Sequence, residues 1–101
     1  MKLRISRLAD RDIERIWQFI ARESPTAATK VEDDIHTAMK LLADHPQMGH
    51  QRKDVSDDRY RFWPVYSYII AYRCEEESLI VVRVVHGARN IRRLLRRHLR
   101  P

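Results

Sequence analysis

Cysteine occurs once and glycine twice in the 101 residues. A lone Cys74 excludes an internal disulfide framework and a thiolate metal cage, and it fits a reducing compartment. Two glycines cannot build a glycine-rich phosphate loop. No apolar run approaches the roughly 20 residues that span a bilayer. The start, Met1-Lys2-Leu3-Arg4, leads into a charged helical pattern rather than the apolar stretch of a signal peptide. A cytoplasmic protein without membrane contact is expected. The histidines, His36, His45, His50, His86 and His98, form no i, i+4 pair on one helix, so neither a metal nor another cofactor is expected. Cys74 lies beside three glutamates, which would raise its pKa and argue against a nucleophile.

What is present is charge, and its location matters more than its size. The net charge is +6. Residues 1–88 hold all 14 acids and 14 of the 20 bases, so that stretch is neutral. The excess is Arg89, Arg92, Arg93, Arg96, Arg97 and Arg100, with no acid among them. A basic protein invites a nucleic-acid reading; here the basicity belongs to a tail on a neutral body. With 44% apolar and 34% charged residues, the chain reads as one globular domain over 1–101.

The hydrophobic pattern changes period along the chain. Lys2 to Ser6 alternates, as a strand does. From about Leu8, Ile13, Ile16, Trp17 and Ile20 recur at helical spacing, with Asp12, Glu14, Arg15 and Gln18 on the opposite side. Asp10 and Asp12 are placed in the first turn. Ser24-Pro25 reads as an N-cap followed by proline at the first helical position. The second helix carries Ala28, Val31, Ile35, Ala38, Met39 and Leu42 and ends at Asp44-His45-Pro46. The short link between the helices predicts an antiparallel αα-hairpin.

Pro46 to Asp58 reads as a loop with a turn at Met48-Gly49. Three strands follow: Tyr60 to Val65, Ser67 to Arg73, and Leu79 to His86, with a hairpin turn at Glu75 to Ser78. The last strand is nearly all apolar, the mark of burial on both faces. Asn90 then caps a basic C-terminal helix with Ile91, Leu94, Leu95 and Leu99 on one side. The order is β-α-α-β-β-β-α. It predicts an α+β fold: an N-terminal helical hairpin packed on a small antiparallel sheet, with a C-terminal basic helix.

Arg83 is a charge inside an apolar strand, so it needs a partner or an opening to solvent. Asp54 and Asp58 are candidate partners; alternatively Arg83 faces an anion on a concave sheet, joined by Arg59, Arg61 or Arg73. Arg59-Tyr60-Arg61-Phe62-Trp63 interleaves cations with rings. That pattern suits single-stranded RNA, and it equally suits a strand with buried rings. His86 at a strand end could act as a general base beside Arg89, or simply bind backbone at the turn. The arginine tail suits an acidic partner or nucleic acid, or a solubilising helix.

Taken together, these residues resemble the RelE/ParE toxin superfamily, and its ParE-like branch in particular. The matching pieces are Leu3-Arg4-Ile5-Ser6, Ala9-Asp10-Arg11-Asp12-Ile13 with Ile16, and Ser24-Pro25-Thr26-Ala27-Ala28. Leu42 to Gly49, Arg61, Tyr68 to Arg73, and Arg83 to Asn90 complete the set. The resemblance implies a toxin held by a cognate acidic antitoxin that folds into a groove. Arg89, Arg92, Arg93, Arg96 and Arg97, with Ile13 and Trp17, are the partner-binding candidates. ParE-like members are taken to poison DNA gyrase by protein contact. RelE-like members cleave mRNA on the ribosome, and on that alternative Arg61, Arg83 and His86 would be catalytic. A third alternative is an inactive relative that still binds antitoxin. The chain lacks the lysine-rich central stretch of RelE-like nucleases, and no tyrosine follows Arg83. Both departures, with Pro46-x-x-Gly49 and His86-Gly87-Ala88-Arg89, point to the ParE side.

Overall fold

The computed structural model describes residues 1–52, 58–87 and 91–94. Chain direction turns at Ser6, where β1 (Lys2–Ile5) ends and α1 (Arg7–Ala21) begins. The Ser6 hydroxyl accepts from the Ala9 N–H at 3.1 Å and donates to the Val82 carbonyl at 2.9 Å. One side chain thus caps the helix and fastens it to a distant strand. Because the helix starts at Arg7, Asp10 alone is the acid of its first turn; Asp12 falls in the second turn.

Residues 22–24 make the link to α2 (Pro25–Asp44). Ser24 caps it as expected, accepting from the Ala27 N–H at 3.1 Å with Pro25 next in line. The two helices pack against each other, and the Trp17 indole N–H donates to the Thr29 hydroxyl at 3.2 Å between them. The chain then turns at His45 to Met48 and bends on through Met48-Gly49, so the turn begins earlier than the sequence places it. Met48 N–H donates to the His45 carbonyl at 3.0 Å, with Pro46 at the second turn position that its fixed φ suits.

β2 (Tyr60–Val65), β3 (Tyr68–Glu75) and β4 (Ser78–His86) follow as an antiparallel meander, and α3 spans Ile91–Leu94. The sheet order is β1-β4-β3-β2. The α+β class and the element order are as the sequence predicts. The sheet is mixed rather than wholly antiparallel, because β1 pairs with β4 in parallel, Lys2 opposite Ser78 and Ile5 opposite Val81. Parallel neighbours need a long crossover, and everything from α1 to β3 lies between them. Both hairpin loops have two residues. Each places a non-glycine residue in the left-handed region, Tyr66 at φ 55° and Glu76 at φ 54°.

The sheet is buried on both faces. Towards the helices, Ile70, Tyr72, Leu79, Val81 and Val84 pack with Ile13, Ile35, Met39 and Leu42. On the other face, Tyr60, Phe62, Ala71, Ile80, Val82 and Val85 pack with Ile91 of α3. This explains the near-continuous apolar run of β4.

Candidate functional site

The register of β4 slips once. Ala71 faces Arg83 and Tyr72 faces Val81, leaving Val82 as a bulge residue. The bulge turns the strand beyond the end of β1, where α1 closes over it. There Asp12 takes the Arg83 guanidinium bidentately, at 2.7 and 2.9 Å, and also accepts the Val84 N–H at 2.9 Å. Among the described residues the carboxylate that meets Arg83 is Asp12 of α1, not Asp58; Asp54 lies outside the described residues. Asp12 is itself 8% exposed, although the helical pattern places it on the polar side. Its proximity to β4 overrides the pattern, because the carboxylate satisfies a partly buried cation and the buried Val84 N–H together. Hydrogen bonding to Asp12 raises the Arg83 pKa further, against the opposing effect of burial.

Arg61 is also in structural use. It donates to the Gly49 carbonyl at 2.9 Å and the Gln47 carbonyl at 3.4 Å. From the neighbouring strand, Tyr72 donates to the Pro46 carbonyl at 2.7 Å and accepts the Gly49 N–H at 2.9 Å. Two strand side chains thereby clamp the turn that leaves α2. Gly49 is required there for space. A Cβ on it would stand 2.3 Å from the Tyr72 hydroxyl. Burial pushes the Tyr72 phenol above its ordinary value, opposed by the Gly49 N–H and by Arg61. The Cys74 thiol is also pushed up, and the cause is desolvation rather than the glutamates; Arg61 pulls the other way.

The rings of the Arg59-to-Trp63 run do not form an open platform. Tyr60 is 2% exposed and Phe62 3%. Trp63 is half-buried and stacks on His50 with centroids 5.9 Å apart. Base stacking needs exposed faces, so the strand alternative weighed for this motif is the one realised. His86 is exposed at the end of β4, with its ring edge-on to Tyr68 at 5.7 Å. Arg61, Arg83 and His86 thus serve three different local structures.

Among the described residues, two grooves flank α1. One, about 580 Å³, lies along the hairpin between α1 and α2. Ile13 and Trp17 reach it, and its rim carries Asp10, Glu14 and Glu32. Ile13 is only 4% exposed, so it is a core residue with little to offer a partner. The other, about 430 Å³, lies between α1 and the end of β4. Phe19, which stands 66% exposed, and Tyr68 give it an apolar wall, and Arg15, His86 and the Asp12–Arg83 pair line the rest. Phe19 escaped the sequence reading because it sits off the main apolar stripe of α1. Asp12 had one available signal, the need of Arg83 for a carboxylate.

Of the tail, Arg93 is exposed on α3, and the Arg92 side chain, Arg89, Arg96 and Arg97 lie outside the described residues. Among the described residues, no group of three His, Cys, Asp or Glu is placed to hold a metal, and no helix is long and apolar enough to cross a membrane.

This is a small α+β domain in which a helical hairpin covers a mixed four-stranded sheet. The family described as the ParE toxin of the type II toxin–antitoxin system, parDE, matches residues 3–91. The chain belongs to this toxin family, and with it comes a cognate antitoxin partner. It is similar to Toxin RelE3 of Caulobacter vibrioides, 23% identical over 79 residues that cover 78% of this chain and 86% of that protein. A solved structure of the chromosomal ParDE system from P. aeruginosa superposes with a TM-score of 0.72 at 19% identity. It covers 85% of this chain and 95% of that one, and shows the shared fold.

Proposed function

We propose that this toxin acts as a ParE-like inhibitor of DNA gyrase by protein contact, and that a cognate acidic antitoxin neutralises it. The observation that supports this reading is the commitment of the basic and aromatic residues a sheet-borne nuclease would need. Arg83 is locked to Asp12, Arg61 holds the turn after α2, and Tyr60 and Phe62 are buried. The chain then acts through its surfaces, with Arg89, Arg92, Arg93, Arg96 and Arg97 supplying long-range attraction to an acidic partner or to the gyrase–DNA complex. The similarity to a protein named Toxin RelE3 favours a second reading, mRNA cleavage on the ribosome through Arg61, Arg83 and His86.

A supercoiling assay with purified gyrase and the purified toxin separates the two. Gyrase inhibition predicts loss of supercoiling and accumulation of cleaved DNA at micromolar toxin, with ribosome-bound mRNA left intact. Full supercoiling alongside codon-linked mRNA cleavage would establish the second reading. Antitoxin binding with neither effect would mark an inactive relative.

A further inference from the structure

β3 outruns β2 at one end of the sheet. Tyr60, the first residue of β2, lies opposite Arg73, so Cys74 and Glu75 extend beyond the β2 ladder and pair with β4. A notch of about 320 Å³ opens there, closed on one side by Pro46 and Gln47 of the turn after α2. Small-molecule sites span about 300–1,000 Å³, so the notch suits a compact ligand. Arg59, Arg61 and Arg73 line it against one carboxylate, Asp58.

Two of these guanidinium groups are fixed by the fold itself. Arg61 bonds the Gln47 and Gly49 carbonyls through Nη1, and Arg73 bonds Glu75 through Nη1. A guanidinium carries more N–H donors than those contacts use, and side chains held in advance lose less entropy when a ligand binds. The positive field reaches into the notch, since Arg61 draws the Tyr72 phenol and the Cys74 thiol down against their desolvation. The number of cations decides the class of ligand. At Asp12 a single carboxylate is matched by the one guanidinium of Arg83. Three guanidinium groups suit an anion with more charge and more acceptors; a phosphoryl group brings about two negative charges and three strong acceptor oxygens. Tyr72, the ring in this lining, is fully buried and offers no face on which a base could stack.

We infer that the notch between the start of β2 and the end of β3 binds a compact phosphate-type anion, such as inorganic phosphate or pyrophosphate, through Arg59, Arg61 and Arg73. Asp58 at the rim weakens the site, and Glu75 shares Arg73 with the ligand. Because Arg61 and Tyr72 also clamp the turn after α2, an anion on Arg61 adds to the hold on that turn. The inference is independent of the gyrase reading and concerns a different part of the surface from the grooves beside α1.

The test titrates sodium pyrophosphate into the purified full chain at constant ionic strength, and follows alkylation of Cys74 by iodoacetamide together with the melting temperature. Cys74 is exposed and lines the notch. A bound anion shields the thiol and cancels the Arg61 charge that favours the thiolate, so labelling should slow saturably while the melting temperature rises. Arg59→Gln and Arg73→Gln should each weaken binding by about tenfold. Asp58→Asn should tighten it, a gain that a merely structural role would not produce. Arg22→Gln, on α1, should leave it unchanged. Arg61 is left intact in the test because its loss would also release the turn. Protection that never saturates, or that sodium chloride matches at equal ionic strength, would overturn the inference. So would undiminished affinity in both arginine variants, or protection by a short single-stranded oligonucleotide where pyrophosphate gives none.

Discussion

Replacing Asp12 with alanine removes the carboxylate that the Arg83 guanidinium and the Val84 N–H share. The Arg83 side chain is 14% exposed and that of Asp12 9%, so neither is well served by solvent. Breaking a buried ion pair by deleting one partner costs about 3–5 kcal/mol, part of it the orphaned Val84 N–H. A chain of this length has a folding free energy of about 5–15 kcal/mol, so the loss is a large share. At about 4 °C per kcal/mol for a domain of this size, the melting temperature should fall by roughly 12–20 °C. Circular dichroism melts, checked by urea denaturation, measure this directly. Asp12→Asn keeps an oxygen for the Val84 N–H and loses the charge, so it should fall between the parent and Asp12→Ala. Combining Asp12→Leu with Arg83→Met removes both charges. It should recover much of the loss, short of the roughly 1–3 kcal/mol for the unsatisfied N–H. A cost below about 1 kcal/mol for Asp12→Ala would show the pair behaving like a surface salt bridge, and would refute its role in holding α1 to β4.

Gly49→Ala forces a Cβ to 2.3 Å from the pinned Tyr72 hydroxyl and should destabilise by about 1–3 kcal/mol; an unshifted urea midpoint would contradict that packing. Tyr72→Phe deletes the hydroxyl clamp and should also cost about 1–3 kcal/mol near neutral pH. The raised Tyr72 pKa adds a pH signature. Its neutral form is favoured in the fold, so that stability is present below the ordinary value near 10 and lost as pH rises through the raised one. Parent stability should therefore fall more steeply than that of Tyr72→Phe above about pH 10, and parallel curves would exclude the effect. Glu76→Gly relieves a left-handed residue in a hairpin loop and should raise the melting temperature, with a gain of up to about 1 kcal/mol; a fall would show that Glu76 is not strained.

Local signals made most of the architecture legible. Ser24-Pro25 marks the start of α2 because a cap and a proline act within a few residues of themselves. The apolar run of β4 announces a strand covered on both sides, as Ile91 on one face and Met39 on the other bear out. The site was less legible, since its contacts join residues far apart in the chain. The Asp12–Arg83 pair spans 71 positions, and the Arg61–Gly49 bond spans 12. Helical periodicity places Asp12 with its polar neighbours and contains no information about the strand edge it meets.

The sequence by itself determined the helices, the strands, their order, the neutral body and the basic tail, because composition and hydrophobic period are properties of short windows. It also carried the family resemblance, through short motifs in a fixed order. Only the tertiary structure decided what the charged and aromatic side chains face. Arg83 could meet an anion or an aspartate, and a bulge at Val82 brought it to Asp12. The Arg59-to-Trp63 run could offer rings to RNA or to the interior, and packing against Ile91 buried Tyr60 and Phe62. Burial of a charge or ring depends on which distant element covers it, and that is settled only when the sheet and its helices close together.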